Sequence, residues 1–144
     1  MTSATRIIQT LGGHGIVRKR AASYGAVVDR VRSGLPYAAL EAVATRYGMS
    51  QEAVVRVLRL PLRTLGRRKK DGRLSPDESD RLLRLARIGA TAEEVLESRD
   101  KAVAWLHRPN RALGGRRPLE MLDTDLGAHQ VEQILGRIEH GVYS

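Results

Sequence analysis

An all-helical fold in two parts, a helix-turn-helix followed by a small helical bundle, is what the sequence predicts, and three observations carry it. Apolar residues recur at three- and four-residue spacings between stop signals, as they do on the inner faces of short amphipathic helices. No segment reads convincingly as a strand. Aromatic residues make up 3% of the 144, with no Phe and one Trp, which leaves the core to Leu, Val, Ile and Ala. That mixture favours helix packing.

Residues 1–20 lack clean periodicity, and Gly12, Gly13 and Gly15 interrupt any helix, which predicts a flexible tail ordered only on a partner. Residues 23–32 carry Val27, Val28 and Val31 on one face and stop at Gly34. Pro36 stands at a helix start, and 37–47 follows with Leu40, Val43 and Ala44 inward before Gly48. Ser50 is the N-cap of the next helix, whose stripe is Ala53, Val54, Val57 and Leu58. Pro61 opens another over 62–70, anchored by Leu62 and Leu65 and closed by Asp71-Gly72. Two short helices broken at Arg59-Leu60-Pro61 have the proportions of a helix-turn-helix.

Ser75-Pro76-Asp77-Glu78 is a capping box with Pro at the first helical position. The helix it opens turns Leu82, Leu83, Leu85, Ala86 and Ile88 inward and Arg81, Arg84 and Arg87 outward. Thr91-Ala92-Glu93-Glu94 reads as a second capping box starting a new helix through Val95 and Leu96, and Asp100 as the cap of a third. The third holds Val103, Trp105 and Leu106, with Trp105 expected as a core anchor. A turn-rich loop over 110–118 and a helical turn over 119–122 lead to a last helix capped by Thr124 or Asp125. That helix buries Val131, Ile134, Leu135 and Ile138 and ends at Gly141. The expected division is a tail (1–20), a helix-turn-helix domain (21–74) and a helical domain (75–144).

Charge divides along the same line. Net charge is +9, but residues 1–74 hold 15 Lys/Arg against 4 Asp/Glu, whereas 75–144 hold 10 against 12. The basic half suits a polyanion, because each phosphate neutralised releases condensed counterions. The helix over 62–70 concentrates Arg63, Thr64, Arg67, Arg68, Lys69 and Lys70, the candidate DNA-binding residues. Its first residues would face base edges in the major groove and the later ones phosphate. A solvated charged face on a structural helix is the competing explanation, and the helix over 50–58 is the alternative base reader.

Enzyme chemistry finds no foothold. There is no Cys, and His14, His107, His129 and His140 are scattered without ligand spacing. No Walker loop, dinucleotide fingerprint or nucleophile paired with a base is recognisable. We therefore expect no enzyme, no metal and no cofactor. Residues 7–16 are too broken by Gln9, Gly12, Gly13 and His14 for a signal peptide. No window approaches a membrane span, so a cytoplasmic protein with no membrane partner is expected.

The second half carries a family resemblance. Leu74-Ser75-Pro76-Asp77-Glu78-Ser79-Asp80-Arg81-Leu82-Leu83-Arg84-Leu85-Ala86-Arg87 resembles the opening of the toxin-binding domain of Xre/MbcA/ParS-type antitoxins. Ala104-Trp105-Leu106, Pro109-Asn110-Arg111-Ala112-Leu113-Gly114-Gly115, Pro118-Leu119 and Gly136-Arg137-Ile138-Glu139-His140-Gly141-Val142-Tyr143 continue the match, in order, across residues 74–144. Arg63-Thr64-Leu65 with Arg67-Arg68 is similar to the second helix of that family's DNA-binding part. The resemblance implies an antitoxin that neutralises a RES-domain, NAD-degrading toxin and represses its own operon. It also implies that the C-terminal end, with Arg137, Gly141, Val142, Tyr143 and the carboxylate of Ser144, blocks the toxin's NAD pocket. The alternative is a stand-alone dimeric helix-turn-helix regulator, and a third possibility is a nucleoid protein that uses charge without sequence choice. Palindromic operators require a two-fold partner, so at least a homodimer is expected, within a larger toxin–antitoxin complex.

Overall fold

The computed structural model describes residues 2–17 and 23–141. Its helices are α1 (Ala4–Thr10), α2 (His14–Val17), α3 (Tyr24–Ser33), α4 (Tyr37–Arg46), α5 (Gln51–Leu58), α6 (Leu62–Asp71), α7 (Pro76–Leu96), α8 (Arg99–His107) and α9 (Asp125–Glu139). Two 3₁₀ segments, Arg111–Leu113 and Pro118–Asp123, lie between α8 and α9. No strand occurs among the described residues, only isolated bridges joining Pro36 to Arg73 and Asn110 to Arg116. The fold is all-α, as expected.

Hydroxyl caps set most helix starts. The side chains of Ser3, Ser23, Ser50, Ser75, Ser98 and Thr124 each accept a backbone N–H three residues on, and such a cap is worth about 1 kcal/mol. Around the central α7, one hydrophobic cluster runs from Ile7 and Ile8 through Val43, Tyr47 and Leu58 to Leu85, Ile88, Leu106 and Leu135. The division expected at Ser75 falls on the N-cap of α7, whose apolar face is covered by helices from both sides of that point.

Several expectations are corrected. Residues 4–10, assigned to a flexible tail, form α1 and bury Ile7, Ile8 and Leu11. Thr2 meets Thr91 hydroxyl to hydroxyl at 2.6 Å, Tyr24 OH donates to the Thr2 carbonyl, and Arg6 pairs with Glu94 at 3.2 Å. A seven-residue helix shows too little periodicity to be legible, and Gly12 and Gly13, both at positive φ, turn the chain rather than leave it free. Met1 and residues 18–20 of that tail lie outside the described residues.

Nor does a new helix start at Thr91, since α7 continues to Leu96. The Thr91 hydroxyl donates to the carbonyl of Arg87, within the helix, and Glu93 and Glu94 are engaged in tertiary ion pairs instead of capping. Ser98, not Asp100, caps α8. Arg81, Arg84 and Arg87 are not simply solvated: they donate to the Leu58 carbonyl, the Leu122 carbonyl and the Glu132 carboxylate. Trp105 packs only half-buried against the core, and Leu62 is 56% exposed, so neither is an interior anchor.

Candidate nucleic-acid interface and partner-binding end

The break between α5 and α6 is made by three residues with separate tasks. Arg59 adopts the left-handed conformation (φ 52°), Leu60 is buried beneath the turn, and Pro61 sets the entry angle of α6. Leu65 is the buried residue of α6, so one apolar side chain seats the helix and most of its surface faces water. Arg63, Arg67, Lys69 and Lys70 lie exposed on that surface and Thr64 is half-buried.

Arg68, grouped with these as a DNA contact from sequence, is turned the other way. Its Nε and Nη2 donate to the two carboxylate oxygens of Glu78 at 2.8 and 3.1 Å. Glu78 also accepts from the backbone N–H of Ser75, completing the capping box of α7. Burial pushes the Glu78 carboxyl up, but the hydrogen bonds from Arg68 and Ser75 and the charge of Arg68 outweigh it and hold the group below the ordinary value. Arg68 is therefore the clamp that fixes α6 to the start of α7. Glu78 was legible as a capping residue, but its second role needed the tertiary contact.

A second buried cluster fixes α4 to the far half of α7. Arg46 donates to both Glu93 oxygens at 2.8 and 2.6 Å, and Tyr47 OH donates to the same carboxylate at 2.7 Å. Burial again raises the Glu93 carboxyl, and the bonds from Arg46 and Tyr47 overcome that and lower it. Burial, with Glu93 alongside, raises the Tyr47 phenol well above its normal range, so it stays a neutral donor. Gly89 lies one turn before Glu93 on the same face; a Cβ there would come closer to Cζ, Cε2 and Oη of Tyr47 than a side chain can approach. The one sequence signal was this pairing of a helical Gly with an inward Glu four residues on.

At the other end, α9 stops at Glu139 with His140 as C-cap, and Gly141 follows at φ 71°. Arg137 and Gly141, expected to reach a toxin, are exposed. Val142, Tyr143 and Ser144 lie outside the described residues. Beside this end is a groove of about 530 Å³, bordered by Tyr24, Val28, Leu83, Glu139 and the Arg87–Glu132 ion pair. Among the described residues no cluster of His, Asp and Glu could hold a metal ion, and no helix is long and apolar enough to cross a membrane.

Two family models match the chain. Residues 26–87 match the Xre-like helix-turn-helix domain of antitoxins, and 91–141 match the C-terminal toxin-binding domain of Xre/MbcA/ParS antitoxins. The two spans thus meet inside α7, and residues 74–87, expected to open the toxin-binding domain, match the helix-turn-helix domain instead. An Antitoxin Xre of Yersinia enterocolitica is 34% identical over 126 residues, 85% of each chain. An Antitoxin Xre of Pseudomonas putida is 46% identical over 83 residues, 57% of this chain and 52% of that one. A Prs ADP-ribosylating antitoxin of a Sphingobium species is 26% identical over 130 residues, 81% of this chain and 82% of the relative.

Proposed function

The chain belongs to the Xre family of antitoxins, with a helix-turn-helix domain and a toxin-binding domain, and from that premise we propose how it performs each task. It binds operator DNA as a homodimer through α6 and represses its own operon. It neutralises a RES-domain, NAD-degrading toxin by lodging the segment after α9, with Tyr143, in that enzyme's active site. Both take place in the cytoplasm, within a larger toxin–antitoxin complex, and neither requires catalysis or a cofactor from this chain.

One observation carries the DNA-binding half: α6 is seated by Leu65 and clamped by Arg68 to Glu78, which leaves Arg63, Arg67, Lys69 and Lys70 to solvent on a rigid support. Cations held on a fixed helix meet phosphate and base edges with little ordering cost. Two-fold operators bind two-fold proteins, which is why a dimer accompanies this role.

For the toxin, the Sphingobium relative is named for ADP-ribosylation, a transfer whose donor is NAD; the same substrate class fits a RES-domain partner. A short segment held by the end of a 15-residue helix loses little freedom on insertion. Tyrosine supplies a large amphipathic surface with few rotors.

Removal of residues 142–144 tests the blocking mechanism. The truncated antitoxin should lose its hold on toxin activity, read as NAD loss in co-expressing cells, while its operator affinity changes less than twofold. Full protection at equal stoichiometry would rule the insertion out.

A further inference from the structure

We propose that the loop over 108–117, in the toxin-binding half, is a second DNA contact that grips backbone phosphates beside those met by the helix-turn-helix. The proposal rests on DNA binding through α6 and enlarges its footprint.

The loop is a cationic island in an otherwise acidic half. Four of the second half's ten basic residues, Arg108, Arg111, Arg116 and Arg117, fall within it, and it contains no acidic residue. All four are exposed. Among the described residues no carboxylate pairs with Arg108, Arg111 or Arg116, whereas Arg117 reaches Glu120 at 3.5 Å. Arginines gathered without counter-charge repel one another, a cost that a polyanion reverses.

Its backbone is a built platform. The buried Asn110 donates its N–H to the Arg116 carbonyl at 3.0 Å and accepts the Ala112 N–H on its side-chain oxygen at 2.9 Å. Its carbonyl accepts from Leu113 at 3.0 Å and Gly115 at 2.9 Å. Leu113 and Pro118 are buried on the inner side. Only the arginine side chains would have to be ordered by a ligand, which keeps the entropic cost of binding low.

Position selects DNA over the toxin. The loop leaves α8 at His107, whose Nε2 lies 2.6 Å from the Tyr47 carbonyl, just ahead of the Ser50 cap of α5. At the loop's end, Arg117, with Leu119 just beyond it, lines with Ser50 and Arg56 a cleft of about 360 Å³. In a bound helix-turn-helix the first helix crosses the DNA backbone, so a loop pinned beside the start of α5 lies over the flanking phosphates. Glu52 and Glu120 also line the cleft, which places the anion on the outer arginines, Arg111 and Arg116, instead of inside it. The segment Pro118–Asp123 packs against the start of α9 at Gly127, and a helix of 15 residues is about 22 Å long. That length separates the loop from the end proposed to reach the toxin.

The test measures binding of full-length protein to labelled duplexes, one carrying the operator region and one of mixed sequence, over a series of salt concentrations. Arg111→Ala with Arg116→Ala should weaken both complexes alike and reduce the slope of log affinity against log salt by about 2, since each phosphate contact contributes about 0.9. Thermal stability and toxin neutralisation should be unchanged, and Arg111→Lys with Arg116→Lys should retain the slope. An unchanged slope, alongside weakened operator binding by Arg63→Ala with Arg67→Ala, would overturn the loop contact and leave α6 as the reader. Loss of toxin neutralisation with an unchanged slope would overturn it in favour of a toxin surface. Wild-type protein that bound neither duplex would remove both.

Discussion

Glu93 shows how one side chain can be misjudged from its neighbours in sequence. Two residues after Thr91, in what reads as the first turn of a new helix, it looks like part of a capping box, yet it is buried and takes three hydrogen bonds from Arg46 and Tyr47. Its carboxyl and that of Glu78 are both held below the ordinary 4.5. A depressed carboxyl stabilises the fold fully above its unfolded value, and the contribution is lost as pH falls through the lower, folded one. Thermal unfolding followed from pH 7 into acid should therefore show Tm dropping below about pH 4.5, less steeply for Glu93→Gln, which has no carboxyl to protonate. At pH 7 that variant should cost roughly 1.5–3 kcal/mol, the range for a hydrogen bond to a charged group. Parallel acid profiles in the two proteins would refute the assignment.

Among the elements, α6 gains most of its definition from elsewhere. Ten residues long with a single buried side chain, it is too short to persist alone, and Leu65 with the Arg68–Glu78 pair must hold it. Arg68→Ala should thus lower unfolding free energy by roughly 1.5–3 kcal/mol, because a nearly buried carboxylate loses its partner. Urea denaturation measures that loss. Operator affinity should fall with it, but the salt slope should stay within about 0.5 of wild type, because no phosphate contact is removed. A slope lower by a full unit would return Arg68 to the DNA surface. The capping box of α7 was readable because it lies within four consecutive residues, Ser75 to Glu78; the clamp was not, because Arg68 meets Glu78 across the turn between helices.

At the scale of the whole molecule, the two parts share one core. Ile7 and Ile8 of α1, Val43 of α4 and Leu135 of α9 belong to the same cluster around α7, and the pairs at Glu78 and Glu93 tie each end of α7 to the first half. Unfolding should be a single transition. The fluorescence of Trp105, the one Trp, reports on the second half, and far-ultraviolet circular dichroism reports on all helices; their denaturant midpoints should coincide. Separate midpoints would show halves that fold apart.

The helical class, most helix starts and the cationic surface of α6 were determined by the sequence itself, because caps, prolines and apolar spacing act over three or four neighbouring residues. Family membership was equally legible, from motifs such as Leu113-Gly114-Gly115 in the toxin-binding domain, whereas Ser75-Pro76-Asp77-Glu78 proved to belong with the helix-turn-helix domain. Tertiary structure alone decided that α1 belongs to the core, that α7 runs unbroken past Thr91, and that Arg68 and Glu93 are internal ties. Each of these depends on what a side chain meets many residues away. A carboxylate three residues after a hydroxyl looks identical whether it caps its own helix or neutralises an arginine from another; only the packed chain brings that arginine within reach.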